Sequence, residues 1–157
     1  MWGGIVGGLP IDTFAHQATT EAAPSAVWAA LQRADTWAAI AGVNRVEDTR
    51  YDNGGGLAGF RFLVNIAGID YRGVVSRTSA IIERQMVMSI ESSQLKGMIG
   101  VELHPTQAGT QVKVTMSMRP NGFLSQMVFP AIAKAVAGGF DEAVVRFVAG
   151  LGEPAPG

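Results

Sequence analysis

Gly54-Gly55-Gly56-Leu57-Ala58-Gly59 satisfies the dinucleotide fingerprint G-x-G-x-x-G letter for letter. That motif works by turning the amides of a helix N-terminus toward a pyrophosphate. Here it is followed by Phe60-Arg61-Phe62-Leu63-Val64, whose alternation belongs to a strand, so the glycines are read as a hairpin loop. Glu102 and His104 share one face of a strand and have the types of an acid–base or metal pair. With apolar Leu103 pointing inward between them they face solvent, and two ligands fall short of a metal site. His16 shares a face with Phe14 and meets a ligand if that face is the inner one. No nucleophile, base and carboxylate stand at spacings that assemble a triad.

Tyr71 is the best polar handle, because an inward tyrosine buries its ring and still needs a partner for its hydroxyl, from ligand or protein. Asp70, Arg61 and Arg77 lie near it in sequence and are read as solvated. Met86, Met88, Met116 and Met118 fall on the apolar sides of two strands. Methionine is flexible and polarisable, so they either form an adaptable pocket wall or fill a core.

These residues need a scaffold, and the alternation supplies one. Strands are expected over Asp12–Thr19, Val43–Tyr51, Leu57–Ala67, Asp70–Thr78, Gln85–Ser92, Leu95–His104 and Thr110–Arg119, with turns at Asp52–Gly56, Gly68 and Ala108-Gly109. Phe60, Phe62, Val64 and Ile66 should face inward, as should Tyr71, Gly73 and Val75; Met86, Met88 and Ile90; Ile99, Val101 and Leu103; and Val112, Val114, Met116 and Met118.

Two short helices separate the first two strands. One is opened by Pro24 and carries Val27, Trp28 and Leu31; the other is capped by Asp35, carries Trp37 and Ile40, and is ended by Gly42. Both tryptophans are expected to close the open end of the sheet, with Trp37 at a pocket rim.

A long helix begins at Pro130. Phe129, Ile132, Val136, Phe140, Ala143, Phe147 and Leu151 recur at steps of three and four, against a narrow polar stripe of Lys134, Asp141, Glu142 and Arg146. This spacing predicts a helix that is mostly covered, with Glu142 and Arg146 paired on its surface. Gly138-Gly139 costs on the order of 1 kcal/mol per residue relative to alanine. The pair either permits a close approach by strands or ligand or marks a bend. Phe123–Phe129 reads as a short capping helix or as a movable flap.

The whole is an α+β arrangement, a curved antiparallel seven-stranded sheet around the C-terminal helix in the order β-α-α-β6-α. At 157 residues a single domain is expected over 12–151, with a flexible leader at 1–11 and a tail at 152–157. The chain has no cysteine, which removes disulfide and thiolate chemistry, and a net charge of −1, which gives no drive toward nucleic acid or an anionic membrane. Charged residues make up 16% of it, below the usual ~25%, which implies apolar surface or an interface. No apolar run reaches the ~18 residues that span a bilayer.

Ala23-Pro24, Val27-Trp28 with Leu31, Asp35 and Trp37, Leu103-His104-Pro105, Gly109-Thr110 and the terminal helix together resemble the START-like (SRPBCC) superfamily of helix-grip proteins. This superfamily includes birch-pollen-allergen-like and polyketide cyclase/dehydrase-like domains. Through Ile69-Asp70-Tyr71-Arg72-Gly73 the chain looks most like the G-type subunit of carbon monoxide dehydrogenase. The resemblance implies a cavity between sheet and helix.

The expected function is binding or carriage of a small hydrophobic molecule, such as a lipid, an isoprenoid or an aromatic polyketide. The alternatives are a polyketide cyclase or dehydratase and an accessory protein of a carbon monoxide dehydrogenase-like complex. The expected ligand contacts are Trp37, Phe60, Phe62, Tyr71, Met86, Met88, Met116, Met118, Val136 and Phe140. No cofactor or metal, no nucleic acid and no stable membrane insertion are expected. A homodimer or larger enzyme complex remains open, and the expected location is the cytoplasm.

Overall fold

A computed structural model describes residues 4–6, 9–66, 68–121 and 129–151. The strands are β1 (Gly4–Val6), β2 (Leu9–Thr20), β3 (Arg45–Tyr51), β4 (Leu57–Ile66), β5 (Ile69–Ile81), β6 (Gln85–Ser92), β7 (Leu95–Thr106) and β8 (Gly109–Pro120). Between β2 and β3 come helices α1 (Pro24–Ala30) and α2 (Ala34–Ala41), and α3 (Phe129–Leu151) follows the last strand.

The seven-stranded antiparallel sheet and terminal helix of a helix-grip fold are present. Three-residue β1 adds an edge strand that pairs with the start of β2, inside the stretch expected as a leader. The order across the sheet is β1-β2-β8-β7-β6-β5-β4-β3. Strands β3 to β8 form an uninterrupted meander, while α1 and α2 carry the chain from β2 to the opposite edge at β3.

The local chemistry explains these joints. Pro24 occupies the first turn of α1, where its missing N–H is not needed. Gly42 ends α2 at φ 77°, a conformation open to glycine at little cost. Gly109 starts β8 at φ 152°, and a side chain there would collide with the Thr20 carbonyl, so the β7–β8 turn can sit hard against the end of β2. The Thr110 hydroxyl secures the same corner by donating to the Ala22 carbonyl at 2.8 Å.

Several boundaries differ from expectation. Asp35 is not the cap of α2: Arg33 takes that position without a side-chain hydrogen bond, and Asp35 sits in the first turn, where its charge complements the helix dipole. β3 starts at Arg45, because Asn44 is used to accept the Asn65 amide at 2.7 Å. β5 runs on to Ile81 through a register shift between Arg77 and Ser79, and its exposed end lacks the alternation that would have marked it. Residues 122–128 and Ala67 lie outside the described residues, and with them the stretch expected as flap or capping helix.

The inner faces are apolar as the alternation requires. Phe60, Phe62, Val75, Met86, Met88, Ile90, Ile99, Val101, Leu103, Val112, Val114, Met116 and Met118 are buried in one core with Val27, Leu31, Trp37 and Ile40. The orientation of α3 differs from the expected one. Phe129, Ile132, Ala133, Phe140, Val144 and Val148 are buried, while Ala143, Phe147 and Leu151 are only partly so. Ala131, Ala135, Ala137, Val145 and Ala149 are exposed, so the helix is far more open than its narrow polar stripe suggests. Small apolar residues read as a buried face without having to be covered. The helix rests on β2 and β8 and against α2, leaving the sheet only partly roofed.

Candidate functional site

Between the uncovered part of the sheet and the flank of α3 lies a cavity of about 520 Å³. Its floor is Phe60, Phe62, Val75, Ile90, Ile99, Met116 and Met118 from the inner faces of β4 to β8. One wall is α3, through Ile132, Ala135, Val136, Gly139, Glu142, Ala143 and Arg146; the other is Trp37 and the run Ala39–Val43, the end of α2 and the first residues after it. Val64, Asn65, Ile66 and Tyr71 close the end formed by the β4–β5 hairpin.

Of the residues expected to touch a ligand, Trp37, Phe60, Phe62, Tyr71, Met116, Met118 and Val136 line this cavity. The other three stand apart from it. Met86 and Met88 are fully buried in the solid part of the core, where the amide of Gln32, next to α1, reaches the Met86 sulfur at 3.8 Å. Phe140 points from α3 onto β2, its ring 5.9 Å from that of Phe14 in a tilted contact. The reason is shared: alternation and helical spacing assign a side chain to a face, but not to the covered or the hollow part of that face.

Trp37 is held in place by an indole N–H that donates to the Leu31 carbonyl at 2.8 Å, so its buried ring forms a fixed wall. Asn65 donates to the Asp70 carboxylate at 2.8 Å and accepts the Gly68 amide at 3.2 Å. The Ser92 hydroxyl accepts the amides of Gln94 and Leu95, each at 3.2 Å. These polar groups serve the strand ends. The Tyr71 hydroxyl makes no hydrogen bond among the described residues, so it is available to a guest. Glu142 and Arg146 form the expected surface pair at 2.9 Å, both side chains about three-quarters exposed, and they also stand at the cavity edge. The sequence shows the pairing through its spacing, but nothing in it places the pair beside a hollow.

The other candidates lie elsewhere. His16 faces α3 with its Nδ1 3.5 Å from the Asp141 carboxylate, outside the cavity lining. His104 and Glu102 are a loose surface pair at 4.0 Å. Among the described residues no group of three or more His, Cys, Asp or Glu could hold a metal ion.

The glycine-rich loop brings its own anion. The Asp52 carboxylate accepts the amides of Gly54 and Gly56 at 2.9 and 2.8 Å and pairs with Arg77 at 2.8 Å. The hydrogen bond from Arg77, then that from Gly56, holds its pKa below the ordinary 3.8. Amides so occupied cannot cradle a phosphate.

The chain belongs to the family described as polyketide cyclase/dehydrase and lipid transport, which it matches over residues 12–152. The fold is shared with the Zhui aromatase/cyclase from Streptomyces sp. R1128, at 15% identity and TM-score 0.69, over 94% of this chain and 99% of that one. A START superfamily protein from Mycobacterium smegmatis is similar at 12% identity and TM-score 0.58, covering 90% of this chain and 96% of that one. A protein from Thermus thermophilus is similar at 13% identity and TM-score 0.64, over 90% and 96% of the two chains. No curated protein matches the chain. Among the described residues no helix is long and apolar enough to cross a membrane.

Proposed function

We propose that this protein binds and carries a small hydrophobic molecule, a lipid, an isoprenoid or an aromatic polyketide, between its sheet and α3. The observation that carries this reading is the cavity: about 520 Å³, floored by aromatic, aliphatic and methionine side chains, with one hydroxyl not engaged by the described residues. Ligand sites of this kind commonly enclose about 300–1,000 Å³, with apolar walls and a few polar groups that orient the guest. Affinity comes from apolar area removed from water, at about 25 cal/mol per Å² before the costs of association. Met116 and Met118 let the floor adapt to guests of different shape. Native mass spectrometry of the purified protein offered a panel of fatty acids, isoprenoids and aromatic ketones tests the reading. A retained or acquired apolar guest supports it, and no uptake from any of the three classes contradicts it.

A second reading, a cyclase or dehydratase, draws on Tyr71 and Glu142 lining one cavity, since a phenol and a carboxylate could move protons on a bound carbonyl compound. The family and the fold shared with an aromatase/cyclase agree with it. Turnover that survives in both Tyr71→Phe and Glu142→Gln would remove these residues from that role.

A further inference from the structure

Gly138 and Gly139 stand side by side in the middle of α3, where glycine is the poorest helix former apart from proline. Neither has a positive φ, and a Cβ built on either meets no atom of the described residues within 4 Å. Backbone conformation therefore demands neither glycine, and no strand approaches closely enough to exclude a methyl group. The two differ in one respect. Successive helical residues point about 100° apart, and only Gly139 faces the cavity, in line with Ala135 and Ala143 one turn to either side. At position 139 the missing side chain is cavity volume. Nothing in the structure accounts for Gly138.

We propose that Gly139 sets the upper size limit of the guest: its bare Cα keeps open the part of the cavity along α3 between Ala135 and Ala143, and larger residues there would confine binding to smaller molecules. This rests on the binding reading above. Because a side chain at 139 would enter empty space, the fold should accept it and only the cavity should shrink.

The neighbouring glycine provides a matched control. Parent, Gly139→Leu, Gly139→Ala and Gly138→Leu proteins are titrated with the fluorescent apolar probe anilinonaphthalene sulfonate, then with octanoate, laurate and palmitate as competitors. Gly139→Leu should weaken the probe and palmitate about tenfold or more while affecting octanoate much less. Gly139→Ala should fall between it and the parent, and Gly138→Leu should match the parent throughout. Equal losses in the two leucine variants, or a loss that does not grow with chain length, would overturn the proposal and leave the carrier reading standing. If the parent takes up neither the probe, nor any acid, nor any isoprenoid or aromatic ketone, the carrier reading fails and this inference with it. Should Gly139→Leu not fold, Gly139→Ala decides by the same dependence on chain length.

Discussion

The rings of Phe14 on β2 and Phe140 on α3 lie 5.9 Å apart at an interplanar angle of 46°, and this tilted contact fastens the long helix to one side of the sheet. Aromatic pairs favour such offset arrangements. Phe140 is 1% exposed, so its ring belongs to the protein's own packing. With α3 fastened there, over β2 and β8, the inner faces of β4 to β6 are left partly to α2 and partly to the cavity.

Phe140→Ala should therefore act on stability and leave the cavity lining in place. The expected loss is about 3–5 kcal/mol, the usual range for removing a buried phenyl ring. Urea unfolding measures it, and a loss below about 1 kcal/mol would show that the contact does not hold the helix.

Met116 and Met88 offer a sharper comparison, since both are buried on the inner face and only Met116 borders the cavity. An indole at position 116 can extend into open space, so Met116→Trp should reduce uptake of an apolar fluorescent probe about tenfold with little change in Tm. Met88→Trp has no such space and should cost about 1–3 kcal/mol by overpacking while uptake by the folded protein persists. Identical behaviour of the two variants would place the cavity wrongly.

Tyr71→Phe removes a hydroxyl that no described residue uses and leaves the ring. Guests bearing a carbonyl or hydroxyl should lose about 0.5–1.5 kcal/mol of affinity, and pure hydrocarbons should lose none. Calorimetric titration with a matched alcohol and alkane separates the two, and equal changes would show that Tyr71 does not orient the guest.

The Asp52–Arg77 pair predicts a pH dependence. The carboxylate is acidified by its hydrogen bond to Arg77, then by that from Gly56. A group whose folded pKa lies below its unfolded value adds stability above the unfolded pKa and loses it as pH falls through the folded one. Asp52→Asn keeps an oxygen for the Gly54 and Gly56 amides and removes the charge opposite Arg77. The variant should melt slightly below the parent at neutral pH, and the difference should vanish once Asp52 is protonated in acid. A difference that is the same at both ends of the titration would exclude the charge as its source.

Much of this architecture is visible in the residues themselves. Gln85–Ser92 is a strand with the limits its alternation suggests, and Pro24 and Gly42 bound the short helices as their backbone chemistry requires. Strand ends are harder to read where register shifts break the period, as between Glu47 and Arg50 or Arg77 and Ser79. The covered side of α3 is hidden for another reason. Alanine and glycine count as apolar in any periodicity, yet Ala135 and Gly139 need no cover and here border a hollow. Depth along a face is set by where α3 rests, which explains why Met116 meets the cavity and Met86 and Met88 do not. Glu142–Arg146 shows the same limit: local spacing reveals the pair, and tertiary placement alone puts it at the cavity edge.

The most direct test of the account is a methyl-detected NMR titration of the protein with laurate. Occupancy of the cavity should move the methyl signals of Ile90, Ile132 and Val136 and leave those of Val27, Leu31 and Val112 in place. Signals of the second three moving alone, or none of the first three moving at saturating laurate or with an isoprenoid or an aromatic ketone in its place, would contradict a guest site between sheet and helix.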